Sequence, residues 1–83
     1  MTATFDRVAA VLSERLGVPA DDIKPEAVLV FDLDLDPLDL VEFALAAEEE
    51  FGVRIADDEA ERLKTVSDAV ALLEAKGVGV AHA

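Results

Sequence analysis

The sequence predicts a small all-helical protein: a four-helix bundle with three longer helices, a short third helix and a long loop between the first two. Three observations carry that prediction. Apolar residues recur at helical spacing in separate stretches, with no strand-like alternation. Starts and stops punctuate them: Asp36-Pro37, Thr65 with Asp68 three residues on, and Gly17, Gly52 and Gly77. At 83 residues, 53% hydrophobic and 31% charged, the chain has the length for one domain with one modest core.

Phe5, Val8, Leu12 and Leu16, widened by Ala9, place the first helix over residues 3 to 16. Thr4 is its expected N-cap and Gly17 its stop. Pro19 to Pro25 reads as a loop with a turn at Ala20-Asp21-Asp22. Ile23, Val28, Leu29 and Phe31 are expected to pin this connection against the core. It is roughly twenty residues long, and loops of that length in so small a domain are often functional.

The second helix is expected from Pro37 to Phe51. Aspartate at the N-cap, here Asp36, accepts a hydrogen bond from an orphan N–H of the first turn. Proline is well placed first in a helix, because that N–H has no partner anyway. Asp39 adds negative charge where the helix dipole is positive. Leu38, Val41 and Leu45 form one apolar stripe, and Phe43, Ala44, Ala47 and Phe51 another, so this helix is expected to be the central one. Gly52 ends it. Asp57-Asp58-Glu59 opens the short third helix, which is expected to reach Leu63 with Ala60 and Leu63 facing inward. Thr65 and Asp68 form a capping box for the last helix, which bears Val66, Ala69, Val70 and Leu73 and stops at Gly77. Residues 78–83, with the only histidine, His82, are expected to fray.

Composition narrows function. A formal net charge of −12 argues against nucleic acid and against anionic membrane surfaces. With no cysteine there is no disulfide, no thiolate metal site and no thiol nucleophile. The first twelve residues lack a basic segment followed by an apolar run, and no stretch is long enough to span a bilayer. The expectation is a cytoplasmic monomer. No Ser/His pair near a cleft supports catalysis, so the chain is expected not to be an enzyme.

The acidic residues are concentrated. From Phe31 to Phe43 the chain holds five carboxylates: Asp32, Asp34, Asp36, Asp39 and Glu42. Between Lys24 and Arg54 there is no basic residue, but nine acidic ones. Asp39, Glu42 and Glu49 fall close to one line on the predicted second helix. Like charge on one face, with no lysine interleaved, points to docking of a basic partner.

The pattern Phe31-x-Leu33-x-x-Asp36-Pro37-Leu38-Asp39-x-Val41-Glu42, followed by Glu48-Glu49-Glu50-Phe51-Gly52, resembles the signature of acyl carrier proteins. Ile55 to Glu61 and Thr65 to Val70 are similar to that family's third- and fourth-helix starts, and the likeness runs from Phe5 to Lys76. The resemblance implies a four-helix carrier of fatty-acid or polyketide biosynthesis. In that family a serine after the aspartate carries 4′-phosphopantetheine, whose thiol holds the acyl chain. It also implies partner-binding positions at Asp36, Asp39, Glu42, Leu45, Glu48 and Glu49, met by basic surfaces of synthases and of the phosphopantetheinyl transferase. Leu45, Phe51, Ile55, Ala60 and Leu63 would line an acyl pocket.

The sequence departs from the family at the attachment point. Pro37 stands where the serine is expected and has no hydroxyl to modify, and Asp34 replaces a customary glycine. As written, no cofactor is expected. The leading reading is a carrier-fold docking module. An alternative is an ordinary acyl carrier whose serine has been replaced. A third, of another class, is an acidic protein that responds to Ca²⁺ or Mg²⁺, because Asp32-x-Asp34-x-Asp36 imitates half of a calcium loop. Pro37 and Phe43 stand where that loop needs glycine and a bidentate glutamate, so no specific metal site is expected.

Overall fold

The computed structural model describes residues 3–78. Within them the order is α1 (Ala3–Leu16), a single 3₁₀ turn (Ala20–Asp22), α2 (Pro37–Phe51), α3 (Asp57–Glu61) and α4 (Val66–Ala75). No strand occurs among the described residues; one isolated bridge joins Val28 to Thr65. The all-helical expectation holds, and the bounds of α2 are those predicted from its cap, its proline and Gly52.

α1 packs on both α2 and α4, and α3 rests on α2. Val8, Leu12, Leu29, Phe43, Val66 and Leu73 are the largest fully buried side chains. The hub is therefore α1, not α2 as the breadth of apolar surface on α2 suggested. Only one of the two apolar stripes on α2 is covered. Phe43, Ala44 and Ala47 are buried with Leu40 and Ala46, whereas Leu38 and Leu45 are 74% and 57% exposed and Val41 is half-buried.

The connection between α1 and α2 is packed, not loose. Ala27, Leu29, Leu33 and Leu35 point into the core. Its backbone is stitched to the start of α4: Leu29 N donates to Lys64 O (2.8 Å), Val66 N to Ala27 O (3.0 Å) and Ser67 N to Pro25 O (2.9 Å). These bonds satisfy backbone groups that burial would otherwise orphan. Phe31 does not pin the loop. The chain reverses there, with Asp32 N (2.7 Å) and Leu33 N (3.2 Å) both donating to Val28 O, and Phe31 stands at the apex, 85% exposed.

Smaller expectations are also revised. Thr4 lies inside α1 and is buried, so it is not the cap. α3 ends at Glu61, and Leu63 is buried in the turn beyond it. Val78 does not fray. Gly77, at φ 97°, turns the chain so that Gly77 N donates to Glu74 O and Val78 N to Leu73 O, each 3.0 Å. This is the Schellman arrangement, which satisfies the last carbonyls of α4 and folds Val78 back into the core. Residues 79–83, including His82, lie outside the described residues. Among those described, no helix is long and apolar enough to cross a membrane.

Candidate functional site

The head of α2 is built by its own first turn. Asp36 is extended (φ −96°, ψ 175°), and its Oδ1 accepts from Asp39 N at 2.8 Å. Asp39 Oδ2 accepts in return from Asp36 N at 3.1 Å. The reciprocal pair satisfies two orphan donors and leaves Pro37, which has no N–H, at the first helical position. Asp34, two residues before the cap, has φ 60°, a left-handed conformation that glycine adopts freely and that aspartate tolerates better than most residues. The backbone turn of a glycine is thus kept without the glycine.

Along the outer face of α2, the predicted partner-binding residues fall into two groups. Asp36, Glu42 and Leu45 are exposed and Asp39 is half-buried. Glu42 has no ion-pair partner among the described residues. Further along, the carboxylates are engaged. Glu49 Oε1 meets the Arg15 guanidinium of α1 at 2.7 Å, which raises the Arg15 pKa through that hydrogen bond and charge. Glu48 Oε2 accepts from Ile55 N at 2.6 Å, joining the end of α2 to the segment that leads into α3. The sequence alone showed no cation for this face because Arg15 lies thirty-four residues away on another helix.

Of the five acyl-pocket candidates, Ile55, Ala60 and Leu63 share the buried core with Phe51 packed against it, and Leu45 stands apart, exposed. Leu45 lines a shallow groove with Arg15, Leu16, Glu42, Ala46 and Glu49. Ile55 borders a separate open cleft of about 500 Å³, shared with Glu48, Val53, Arg54, Ala56, Glu59 and Lys76. Ala60 and Leu63 are core residues, and Phe51 is half-buried beneath Arg7, whose guanidinium carbon sits 4.5 Å from the ring centroid. Leu45 and Phe51 are six residues apart, about 120° around the helix axis, so they fall on different stripes. The signal that could have separated them is that angular count.

Within the cleft, Glu59 Oε1 accepts from both Ala56 N (3.0 Å) and Lys76 Nζ (3.1 Å). The backbone N–H first, and the ammonium second, hold the Glu59 carboxyl below its ordinary range. No group of three or more acidic or imidazole side chains among the described residues is placed to hold a metal ion. Two carboxylates of the calcium-like stretch are already committed to backbone N–H groups, Asp32 to Val28 N (2.7 Å) and Asp36 to Asp39 N.

Fold and site together define a small helical module that presents one acid-headed helix. Comparison with known proteins agrees. A family model described as "Phosphopantetheine attachment site" matches residues 6–73. Acyl carrier protein of Helicobacter hepaticus is 50% identical over 72 residues, 87% of this chain and 95% of that protein. Acyl carrier protein of Acidothermus cellulolyticus is 52% identical over 63 residues (76% of this chain, 75% of that protein), and that of Bdellovibrio bacteriovorus 47% over 75 residues (90% and 96%). The chain belongs to the acyl carrier protein family, whose members are carriers and not catalysts.

The family's prosthetic group requires a hydroxyl for its phosphodiester, and the residues present at the head of α2 do not supply one. No serine, threonine or tyrosine occurs between Ser13 and Thr65. Ser13 is half-buried within α1, Thr65 Oγ1 accepts from Asp68 N as the cap of α4, and Ser67 lies in the first turn of α4. None of the three stands at the head of α2.

Proposed function

We propose that this chain is an acyl carrier protein-like module of the fatty-acid or polyketide type that docks basic surfaces of synthase or phosphopantetheinyl transferase enzymes through α2, and that Pro37 occupies the position of the family's attachment serine. Its setting would be cytoplasmic and its state monomeric. The observation that carries the reading is the head of α2, where a complete Asp36–Asp39 capping box encloses a residue without a hydroxyl. Asp36, Asp39, Glu42 and Leu45 are its available contacts. Glu48 and Glu49 contribute less, since each already has a partner within the chain. The preserved cap also favours a second reading, an ordinary acyl carrier whose serine has been replaced, because the turn that would present a serine is still formed.

The test is intact mass before and after incubation with coenzyme A and a broad-specificity phosphopantetheinyl transferase, on the parent chain and on Pro37→Ser. The expected result is an unmodified parent and a Pro37→Ser variant that gains the group. Failure of Pro37→Ser to gain mass would remove the docking reading and leave family and fold alone. A gain by the parent would move the attachment point to another hydroxyl.

A further inference from the structure

The docking surface extends beyond α2. We infer that Phe31 is its aromatic anchor, fitting an apolar pocket rimmed by lysine and arginine on the partner enzyme. This rests on the docking reading above and names a contact that the acidic face by itself does not contain.

Phe31 is 85% exposed, the most exposed large hydrophobic residue described, and its neighbour Val30 is 42% exposed. Nothing about folding requires this, since Leu29, Leu33 and Leu35 on the same loop are all buried. The loop that carries Phe31 is held at several points. Asp32 N and Leu33 N close on Val28 O, Leu35 N closes on Leu29 O at 3.1 Å, and the Asp32 carboxylate returns to Val28 N at 2.7 Å. Leu29 N is tied in addition to Lys64 O, so the turn is fastened to the start of α4. An aromatic ring displayed on a fastened turn loses little freedom on binding, which is the condition under which buried contacts convert into affinity. Tryptophan, tyrosine and arginine are the usual anchors of interfaces, and an exposed phenylalanine on a solvent-facing turn offers comparable apolar area.

The charge around the ring selects the occupant. Asp32, Asp34 and Asp36 are all exposed on the same segment, and no basic residue lies between Lys24 and Arg54. A second copy of this chain would bring the same carboxylates together, and an anionic membrane would be repelled. A protein pocket lined with apolar side chains and rimmed by cations satisfies both ring and carboxylates. Leu38, at the head of α2, is likewise 74% exposed.

Because the parent chain has no hydroxyl at position 37, its docking can be measured at equilibrium without turnover. Calorimetric titration into the broad-specificity phosphopantetheinyl transferase, with coenzyme A bound, is expected to give a dissociation constant that Phe31→Ala raises about tenfold or more. The melting temperature of Phe31→Ala should match the parent, since the side chain touches little of the core. If Phe31→Ala binds within twofold of the parent while Glu42→Lys binds far more weakly, the anchor is wrong and α2 docking stands. If the parent does not bind and Pro37→Ser is not modified, docking and anchor are both overturned. Concentration-dependent dimerisation abolished by Phe31→Ala would overturn the enzyme as occupant and replace it with a second copy.

Discussion

The two ends of α2 carry similar charge in sequence and differ in structure. At the head, Asp36 and Asp39 bond to each other's backbone, Glu42 has no cation partner among the described residues, and Leu38 stands in solvent. At the tail, Arg15 holds Glu49, Ile55 N donates to Glu48, and Arg7 lies over Phe51. The tail is where side chains of α1 and the segment before α3 engage the carboxylates and the ring of the helix. Identical side chains on one helix therefore do different work, structural or available, according to what another element brings to them.

The contrast can be broken most directly by deleting one carboxylate from each group. Glu48→Ala removes the acceptor of the Ile55 N–H next to a buried side chain, and is expected to cost about 1–3 kcal/mol in urea unfolding. Glu42→Ala is expected to stay within about 0.5 kcal/mol of the parent, as for surface changes without a partner. Equal losses at both positions would show that head and tail are not distinct.

A double-mutant cycle on Arg15→Ala and Glu49→Ala sharpens the tail assignment. The pair is partly exposed, so a coupling of about 0.2–1 kcal/mol is expected, falling with added salt. Zero coupling at low salt would return Glu49 to the available set.

The smallest effect concerns pH. Glu59 binds Ala56 N and Lys76 and has a folded pKa below its ordinary 4.5. The folded state then holds fewer protons than the unfolded one across that window. The contribution is complete above the ordinary value and is lost as pH falls through the lower folded value. Thermal melts of Glu59→Gln should accordingly decline less steeply than the parent between about pH 5 and pH 3. Parallel declines would place the acid sensitivity elsewhere.

Local chemistry made much of the fold legible. The bounds of α2, the cap at Asp36, the capping box at Thr65, and the stops at Gly17, Gly52 and Gly77 all follow from residues within a few positions of one another. The family pattern was legible for the same reason, as was the lack of a hydroxyl at Pro37. Less legible were the residues whose surroundings come from far along the chain. Phe31 is apolar and reads as core until the Val28 turn places it at an apex. Leu38, Val41 and Leu45 repeat at helical spacing and read as a packed stripe, yet Leu38 and Leu45 stand exposed and Val41 is only half-buried.

What the sequence by itself determined is which segments become helices, the bounds of α2, that the chain is strongly acidic, and that position 37 offers no nucleophile. These depend on side-chain type and on backbone groups no more than one or two turns apart. Only the tertiary structure decided which apolar stripe of α2 is buried, which carboxylates are paired, and that Leu45 stands exposed while Phe51, Ile55, Ala60 and Leu63 join or pack against the core. Burial and pairing are set by how helices far apart in sequence pack together, and a one-dimensional pattern records the period of a face without recording what stands opposite it.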